Sequence, residues 1–252
     1  MICIEHKLLK LYTYPRGTWQ NKGSYEVSYM KINVMQDVLQ ANDRIAGENR
    51  QLFQKNRNLV LNLMSSPGAG KTSLLEKTAE MLAGKLRLGV VVGDIETTRD
   101  ADRISRFNIP AIQLTTGTAC HLDANMVASA LPHLELAKID VLVIENVGNL
   151  VCPAEFIVGE DYKVMILSVT EGDEKPLKYP MMFRESALML INKMDLLQYT
   201  NFNLAEARAN ARKINPAIEI IEISCTKGTG LSEWISWLTA MHRGKSGGAG
   251  HA

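Results

Sequence analysis

The sequence predicts an α/β fold in which a mainly parallel, doubly wound sheet carries helices on both faces. Seven short runs rich in Val, Ile and Leu occur along the chain, and helix-like segments separate several of them. Continuous apolar strands are typical of sheets that are covered on both faces, and their alternation with helices favours parallel pairing. The runs are 59–66, 86–94, 109–116, 139–146, 163–170, 187–193 and 218–224.

Composition narrows the classes of function. The chain has 252 residues and a net charge of +1, so we expect neither nucleic acid nor a membrane as a partner. No apolar run approaches the roughly 18 residues that a membrane-spanning helix needs. The N-terminus lacks the apolar core and cleavage site of a signal peptide, which predicts a cytoplasmic protein. In that compartment its four cysteines are expected to be thiols or metal ligands rather than disulfides.

The two ends of the chain differ from its centre. Residues 1–29 hold four of the seven tyrosines without a clear period, which predicts a loosely docked arm. We hypothesise that native translation starts at or near Met30. The tail, residues 244–252, is rich in Gly and Ser and is predicted to be flexible.

Between these ends the sequence predicts one helix and one large domain. Residues 30–57 carry apolar side chains at near-helical spacing, which predicts an amphipathic helix that covers the domain behind it. Those side chains are Val34, Val38, Ile45 and Leu52. Residues 58–243 form the predicted nucleotide-binding domain.

A phosphate-binding loop follows the first apolar run. The stretch SSPGAGKTS, residues 65–73, ends a predicted strand and opens a predicted helix, which is the setting of a Walker A motif. Gly68 and Gly70 would let backbone N–H groups face phosphate oxygens, and Lys71 would reach the β- and γ-phosphates. Ser65 departs from the motif, whose first residue is glycine. The nucleotide-binding residues predicted here are Gly68, Ala69, Gly70, Lys71, Thr72 and Ser73.

Two acidic residues complete a predicted magnesium site. Asp94 and Glu145 each end a predicted parallel strand, where side chains face the ligand crevice. With the Thr72 hydroxyl they offer oxygen ligands for Mg²⁺, directly or through water. Together with Lys71 they form the predicted catalytic set. The segment ENVG, residues 145–148, is similar to the DxxG switch of GTPases with Glu in place of Asp.

The stretch NKMD, residues 192–195, predicts that the base is guanine. The Asp195 carboxylate could accept hydrogen bonds from N1–H and the exocyclic amine of guanine, and adenine offers neither donor there. Asn192 and Lys193 would brace the loop. The segment SCTKG, which contributes Ser224 and Cys225, is the expected second base-contacting loop. The cofactors predicted from these motifs are GTP or GDP and Mg²⁺.

A possible metal site lies close to the predicted switch. Cys120 and His121 are adjacent, and Cys152 lies seven residues after Glu145. Two thiolates and an imidazole form a soft N/S set suited to Zn²⁺, Ni²⁺ or Cu. Spacing alone leaves open the alternative that the cysteines pack as small buried side chains, which is a common role of cysteine.

Four stretches resemble a known family. GTACHLDA, ENVGNLVCP, VTEGDEKPLKYP and NKMDLL are similar to motifs of the hydrogenase nickel-incorporation GTPases, the HypB family of SIMIBI-class P-loop GTPases. The resemblance spans about residues 30–241. It implies a low-turnover GTPase that dimerises and helps to load nickel into [NiFe]-hydrogenase large-subunit precursors with an accessory protein. It also implies that Cys120, His121 and Cys152 bind Zn²⁺ or Ni²⁺.

One departure and two alternatives accompany this interpretation. Many family members carry a His-rich stretch or a Cys-x-x-Cys-Gly-Cys motif near the N-terminus, whereas this chain offers only Cys3 and His6 there. The site around Cys120 would then carry the metal function alone or take nickel from a partner. A P-loop small-molecule kinase and a metal buffer with a purely structural nucleotide site remain as alternatives from other classes.

Overall fold

A computed structural model describes most of the predicted domain. The described residues are 34–94, 103–104, 106–107 and 109–247. The predicted N-terminal arm, the hypothesised start at Met30, and residues Cys3 and His6 lie outside them. In the described part of the chain no helix is both long and apolar enough to cross a membrane.

Seven strands form one sheet in which every pair is parallel, as the apolar runs predict. Each run matches one strand to within two residues. The strands are β1 (Leu59–Ser65), β2 (Leu88–Asp94), β3 (Ala111–Thr115), β4 (Val141–Glu145), β5 (Tyr162–Ser168), β6 (Ser186–Asn192) and β7 (Glu219–Glu222). Their order across the sheet is β3-β2-β4-β1-β5-β6-β7.

Helices cover both faces of this sheet. They are α1 (Val34–Asn56), α2 (Lys71–Leu82), α3 (Ala124–Ala130), α4 (Cys152–Glu155), α5 (Lys175–Lys178), α6 (Pro180–Arg184), α7 (Leu204–Ile214) and α8 (Leu231–Gly247). On one face, Leu61 of β1 shares a buried cluster with Leu74 of α2 and Trp234 of α8. On the other face, Val60 of β1 shares a cluster with Phe53 of α1. The doubly wound architecture is therefore confirmed.

The C-terminal helix extends further than the sequence predicts. α8 continues to Gly247, so the predicted boundary at residue 243 lies inside it. The Lys245 ammonium donates a hydrogen bond of 2.5 Å to the Asp161 carboxylate, which holds this last turn against the domain. Gly and Ser content alone does not reveal this ion pair.

The N-terminal helix docks through a different face from the one its apolar spacing indicates. Val38 and Leu52, expected to be buried, are 47% and 39% exposed. The buried face is formed by Asn42, Ala46, Asn49 and Phe53. The Asn42 amide donates to the Ile157 carbonyl, and the Asn49 amide donates to the Ala124 and Val158 carbonyls. Side-chain amides can occupy a buried face because their polar atoms find backbone partners there.

The buried face of α1 can be tested with two neighbouring residues. We expect Phe53→Ala to lower the free energy of unfolding by about 3–5 kcal/mol, because it removes a fully buried aromatic ring from the core. Leu52→Ala, one position away on the exposed side, should cost less than about 1 kcal/mol. Chemical denaturation of both variants measures the difference. Equal losses would contradict the observed orientation of the helix.

Candidate nucleotide and metal site

The phosphate loop joins β1 to α2 in the conformation that its glycines predict. Gly68 and Gly70 have φ values of +73° and +106°, a region that side chains other than glycine rarely adopt. A Cβ atom on Gly70 would also lie 2.4 Å from Nδ2 of Asn192. α2 begins at Lys71, so its first N–H groups and the positive end of its dipole face the loop.

Ser65, the departure from the Walker A pattern, contacts the lysine of the motif. The Lys71 ammonium donates to the Ser65 hydroxyl oxygen at 3.1 Å, and this hydroxyl donates to the Ser66 carbonyl at 2.6 Å. Both Ser65 and Lys71 are buried. A serine at this position therefore supplies a hydrogen-bond acceptor for Lys71 that a glycine could not provide.

The predicted magnesium ligands meet at the carboxyl edge of the sheet. The Thr72 hydroxyl donates to a carboxylate oxygen of Glu145 at 3.0 Å. Asp94 and Glu145 line a cavity of ≈ 210 Å³ together with Lys71 and Gly148. A Cβ atom on Gly148 would lie 2.9 Å from the backbone of Pro67, so the ENVG segment packs directly on the phosphate loop. Oxygen donors in this arrangement suit a hard divalent cation.

The two predicted base loops brace the phosphate loop and each other. The Asn192 amide donates to the Ala69 carbonyl at 2.9 Å, and the Lys193 ammonium donates to the Gly68 carbonyl at 2.7 Å. The Ser224 hydroxyl donates to the Asp195 carboxylate at 2.5 Å. Asp195 is thereby oriented by the second loop, SCTKG, as its position after the last strand suggests.

Cys225 contributes to this region differently from Ser224. Its backbone N–H donates to the Asn192 side-chain oxygen at 3.4 Å, whereas its thiol packs in the main core cluster. Burial raises the pKa of the Cys225 thiol to about 11. The thiol is therefore a buried core group, and both its side chain and its backbone N–H lie beside Asn192 of the base loop.

Cys120, His121 and Cys152 come together, although 32 positions separate the two cysteines along the chain. The sulfur atoms of Cys120 and Cys152 are 3.0 Å apart without a disulfide, and Nδ1 of His121 is 3.7 Å from the Cys120 sulfur. Their ligand atoms all lie within 4.8 Å of one another. The first two residues follow β3, and Cys152 begins α4.

The environment of these side chains suits a metal ion. Burial lowers the pKa of His121, which keeps the imidazole in the neutral form that binds metals. Nε2 of His121 is buried and has no hydrogen-bond partner among the described residues. Burial, followed by the neighbouring Cys120 thiol, raises the pKa of Cys152 to about 11. A bound cation would complete this soft donor set and displace the thiol proton.

The sequence alone does not single out two residues of this region, Glu171 and Asn146. The Glu171 carboxylate accepts hydrogen bonds from the Ser66 hydroxyl at 2.5 Å and from the Ser168 N–H at 3.1 Å, so it ties the segment after β5 to the phosphate loop. Asn146 lies fully buried directly after Glu145. Each is adjacent to or inside a quoted motif, but only the tertiary structure reveals its contacts.

Comparison with known proteins identifies the family. Residues 59–222 match the family model described as CobW/HypB/UreG, nucleotide-binding domain. This chain is 53% identical over 207 residues to the Hydrogenase maturation factor HypB of Escherichia coli (strain K12), which covers 82% of this chain and 71% of that protein. It is 38% identical over 221 residues to the Hydrogenase/urease maturation factor HypB of Helicobacter pylori (strain J99), covering 86% and 90% of the two chains.

Solved structures of HypB proteins are also similar to this chain in fold and sequence. A crystal structure of HypB from Helicobacter pylori in complex with nickel has a TM-score of 0.78 and 40% identity, covering 81% of this chain and 95% of that chain. HypB from Archaeoglobus fulgidus has a TM-score of 0.77 and 39% identity, covering 81% and 100%. The resemblance inferred from the four motifs is confirmed: the chain belongs to the CobW/HypB/UreG family of nucleotide-binding domains and, within it, to the HypB proteins.

Proposed function

We propose that this chain is a GTP-hydrolysing metallochaperone that binds nickel or zinc and assists nickel insertion during maturation of [NiFe]-hydrogenase. The family is that of hydrogenase maturation factors, and one of its members has been crystallised with nickel. The observation that carries the proposal is the position of the metal cluster. Cys152 lies on the same short segment as Glu145, whose carboxylate accepts a hydrogen bond from Thr72 of the phosphate loop.

Guanine is the base that the second half of the site favours. Asp195 lies at the carboxyl edge of β6 and is oriented by the Ser224 hydroxyl. One carboxylate can accept from both donors on the guanine edge, and an adenine there would leave it without partners. The Asn192 and Lys193 contacts with the phosphate loop fix the distance between base and phosphates.

We assign GTP hydrolysis to the residues that would surround the phosphates of the bound nucleotide. Lys71 would contact the β- and γ-phosphates and stabilise charge on the transferring group. Thr72, Asp94 and Glu145 would hold Mg²⁺, directly or through water, and the ion would neutralise phosphate charge. The loops at 65–73, 145–148 and 192–195 contain no arginine. We therefore propose a low intrinsic turnover.

Nickel or zinc is the cargo of the second site. We propose that GTP and Mg²⁺ order the segments around Asp94 and Glu145, that the ENVG segment shifts, and that Cys152 moves with it. Hydrolysis would reverse the shift and promote metal transfer. The short connection between Glu145 and Cys152 supports this coupling. Both Ni²⁺ and Zn²⁺ suit the two thiol donors and the imidazole donor of this site.

Partners and location follow from the same role. We propose a cytoplasmic homodimer that works with a hydrogenase accessory protein and the hydrogenase large-subunit precursor. Support for self-association comes from exposed apolar side chains that follow the carboxyl ends of β4, β5 and β6, the edge that carries the nucleotide site. They are Val151, Leu177, Leu196 and Tyr199.

Base specificity can be tested by changing one atom of Asp195. We expect Asp195→Asn to weaken GTP binding about 100-fold or more, because an amide presents a donor where guanine also presents donors. The same variant should gain affinity for xanthosine triphosphate, which carries a carbonyl at that position. Titration with fluorescent nucleotides measures both effects.

Asp43→Asn, on the exposed surface of α1, is the matched control and should bind GTP normally. Unchanged GTP affinity in Asp195→Asn would contradict the assignment of the base. Hydrolysis of ATP and GTP at equal rates by the unmodified protein, with a phosphorylated product, would favour the kinase alternative.

The metal site can be tested with the cysteines of the chain. We expect Cys120→Ala and Cys152→Ala each to lower the affinity for Ni²⁺ and Zn²⁺ at least about 100-fold, since partners outside the ligand set alone can contribute 10–100-fold. Cys225→Ala should retain the site because its thiol lies in the core. Competition with a chromophoric chelator measures the affinity and the stoichiometry.

Two results would separate the alternatives. Full metal affinity in both Cys120→Ala and Cys152→Ala would make these cysteines packing residues and remove the metal function. Metal binding that is unaffected by Lys71→Ala, in a protein without detectable hydrolysis, would favour a metal buffer with a structural nucleotide site.

A further inference from the structure

One buried amide joins the switch segment to the loop that carries two of the metal ligands. The side-chain oxygen of Asn146 accepts hydrogen bonds from the Leu122 N–H at 2.9 Å and from the Val147 N–H at 3.0 Å. Asn146 directly follows Glu145, and Leu122 directly follows His121. The two N–H donors belong to the metal loop and to the ENVG segment, so a single oxygen atom holds both.

Leu122 also packs on Gly93, the residue that precedes the other candidate magnesium ligand. Its side chain is fully buried and packs on Gly93, where a Cβ atom would lie 2.6 Å from the Leu122 Cγ. Gly93 directly precedes Asp94. Leu122, which follows His121, is therefore held on two sides. It packs on Gly93, which precedes Asp94, and it donates a hydrogen bond to Asn146, which follows Glu145.

The orientation of Asn146 is fixed from the centre of the sheet. Its amide donates to the Asn62 side-chain oxygen at 3.1 Å, and Asn62 lies fully buried within β1. The Asn62 amide in turn donates to the Glu160 carboxylate at 3.4 Å. Because its donor side is held by Asn62, the Asn146 oxygen is kept facing Leu122 and Val147.

The same polar cluster reaches the third metal ligand. The buried Lys163 ammonium is 3.9 Å from the Glu160 carboxylate and donates to the Ala154 carbonyl at 2.6 Å. Ala154 lies in α4, the short helix that begins with Cys152. Both halves of the metal site are thus anchored to one buried network.

We propose that Asn146 is a positioning residue that transmits nucleotide-dependent movement of Glu145 to Cys120 and His121. The inference rests on the proposed metal-delivery function and names the residue that regulates it. If residues 145–147 shift when nucleotide and Mg²⁺ change, the Leu122 N–H must follow Asn146 or remain buried without an acceptor. Leaving a buried donor unpaired is unfavourable, so the metal loop follows.

The hydrogen-bonded link through Asn146 differs from the link between Glu145 and Cys152, which runs through the backbone. Cys152 lies on the switch segment itself and would move with it through the backbone. Cys120 and His121 lie on a separate loop and have no such connection. Asn146 is the buried link between this loop and the switch segment, and the Asn149 amide adds a hydrogen bond of 3.2 Å to the Cys120 carbonyl. Asn146 therefore influences whether the three ligands move together or apart, which changes how strongly the nucleotide affects metal affinity.

The test compares nickel affinity in two nucleotide states. Chelator competition gives the affinity for Ni²⁺ with Mg·GDP and with a non-hydrolysable Mg·GTP analogue, for the full chain and its variants. For the unmodified protein we expect the two affinities to differ about tenfold, within the usual range of coupling between sites. In Asn146→Ala the ratio should rise at least about threefold above that of the unmodified protein, because Cys152 would then move with the switch segment without Cys120 and His121. One nickel ion per chain should still bind.

Two further variants separate coupling from stability. Asn62→Ala removes the partner that orients Asn146 and should raise the ratio to a value between those of the unmodified protein and Asn146→Ala. Asn58→Ala is the matched control, because Asn58 is also a fully buried amide, with hydrogen bonds to the Leu136 and Ile139 carbonyls. A purely structural role of Asn146 would lower thermal stability as in Asn58→Ala and leave the ratio unchanged.

The measured ratios distinguish failure of the inference about Asn146 from failure of the proposed coupling between nucleotide and metal. A normal ratio in Asn146→Ala and Asn62→Ala would overturn this inference and leave the proposed function intact. A ratio of one in the unmodified protein would overturn the coupling in the proposed function, and this inference with it. If Asn146→Ala fails to fold, the ratio in Asn62→Ala decides.

Discussion

The parallel register of three central strands is the constraint on which the site depends. Glu145 ends β4 between β1 and β2, where it pairs with Leu63 on one side and Val92 on the other. This register places its carboxylate next to Thr72, which follows the phosphate loop, and beside Asp94 at the end of β2. A shift of one residue in β4 would turn Glu145 to the opposite face of the sheet and dismantle the cavity.

The metal cluster is a consequence of the same geometry. Parallel strands end at one edge, so the loops after β3 and β4 leave the sheet at the same edge, on either side of β2. The first loop carries Cys120 and His121, and the second leads from Glu145 to Cys152. The candidate nucleotide and metal sites are therefore built at the same edge of the sheet, and Asn146, which is held by the Asn62 side chain, bonds to the loop that carries Cys120 and His121. This proximity allows a phosphate to influence a metal ion without a long pathway.

The sequence predicts the parts of the molecule that local pattern determines. Apolar runs bounded by turns identify the seven strands of the described residues, because a parallel strand in such a sheet is buried on both faces. GAGKT and NKMD predict the nucleotide loops, because few residue types allow those backbone conformations and contacts. The prediction of the face through which α1 docks was wrong. Hydrophobic spacing takes no account of amides such as Asn42 and Asn49, which bond to distant backbone carbonyls.

Other features depend on tertiary contacts that no local pattern encodes. The contact between Ser65 and Lys71 shows the role of the serine that replaces the first glycine of the motif. The Lys245–Asp161 pair explains why α8 extends beyond the predicted boundary at residue 243. Asn146 has no distinguishing mark in the sequence beyond its place after Glu145. Its importance comes from Leu122, which is distant along the chain and adjacent in the fold.

Thermodynamic reciprocity gives the most direct test of the account. If nucleotide state changes nickel affinity, nickel must change the relative affinity for nucleotides by the same factor. The measurement is the ratio of the affinities for a GTP analogue and for GDP, by calorimetry on the unmodified protein with and without saturating Ni²⁺. We expect nickel to change this ratio about tenfold. The same ratio with and without nickel would contradict it.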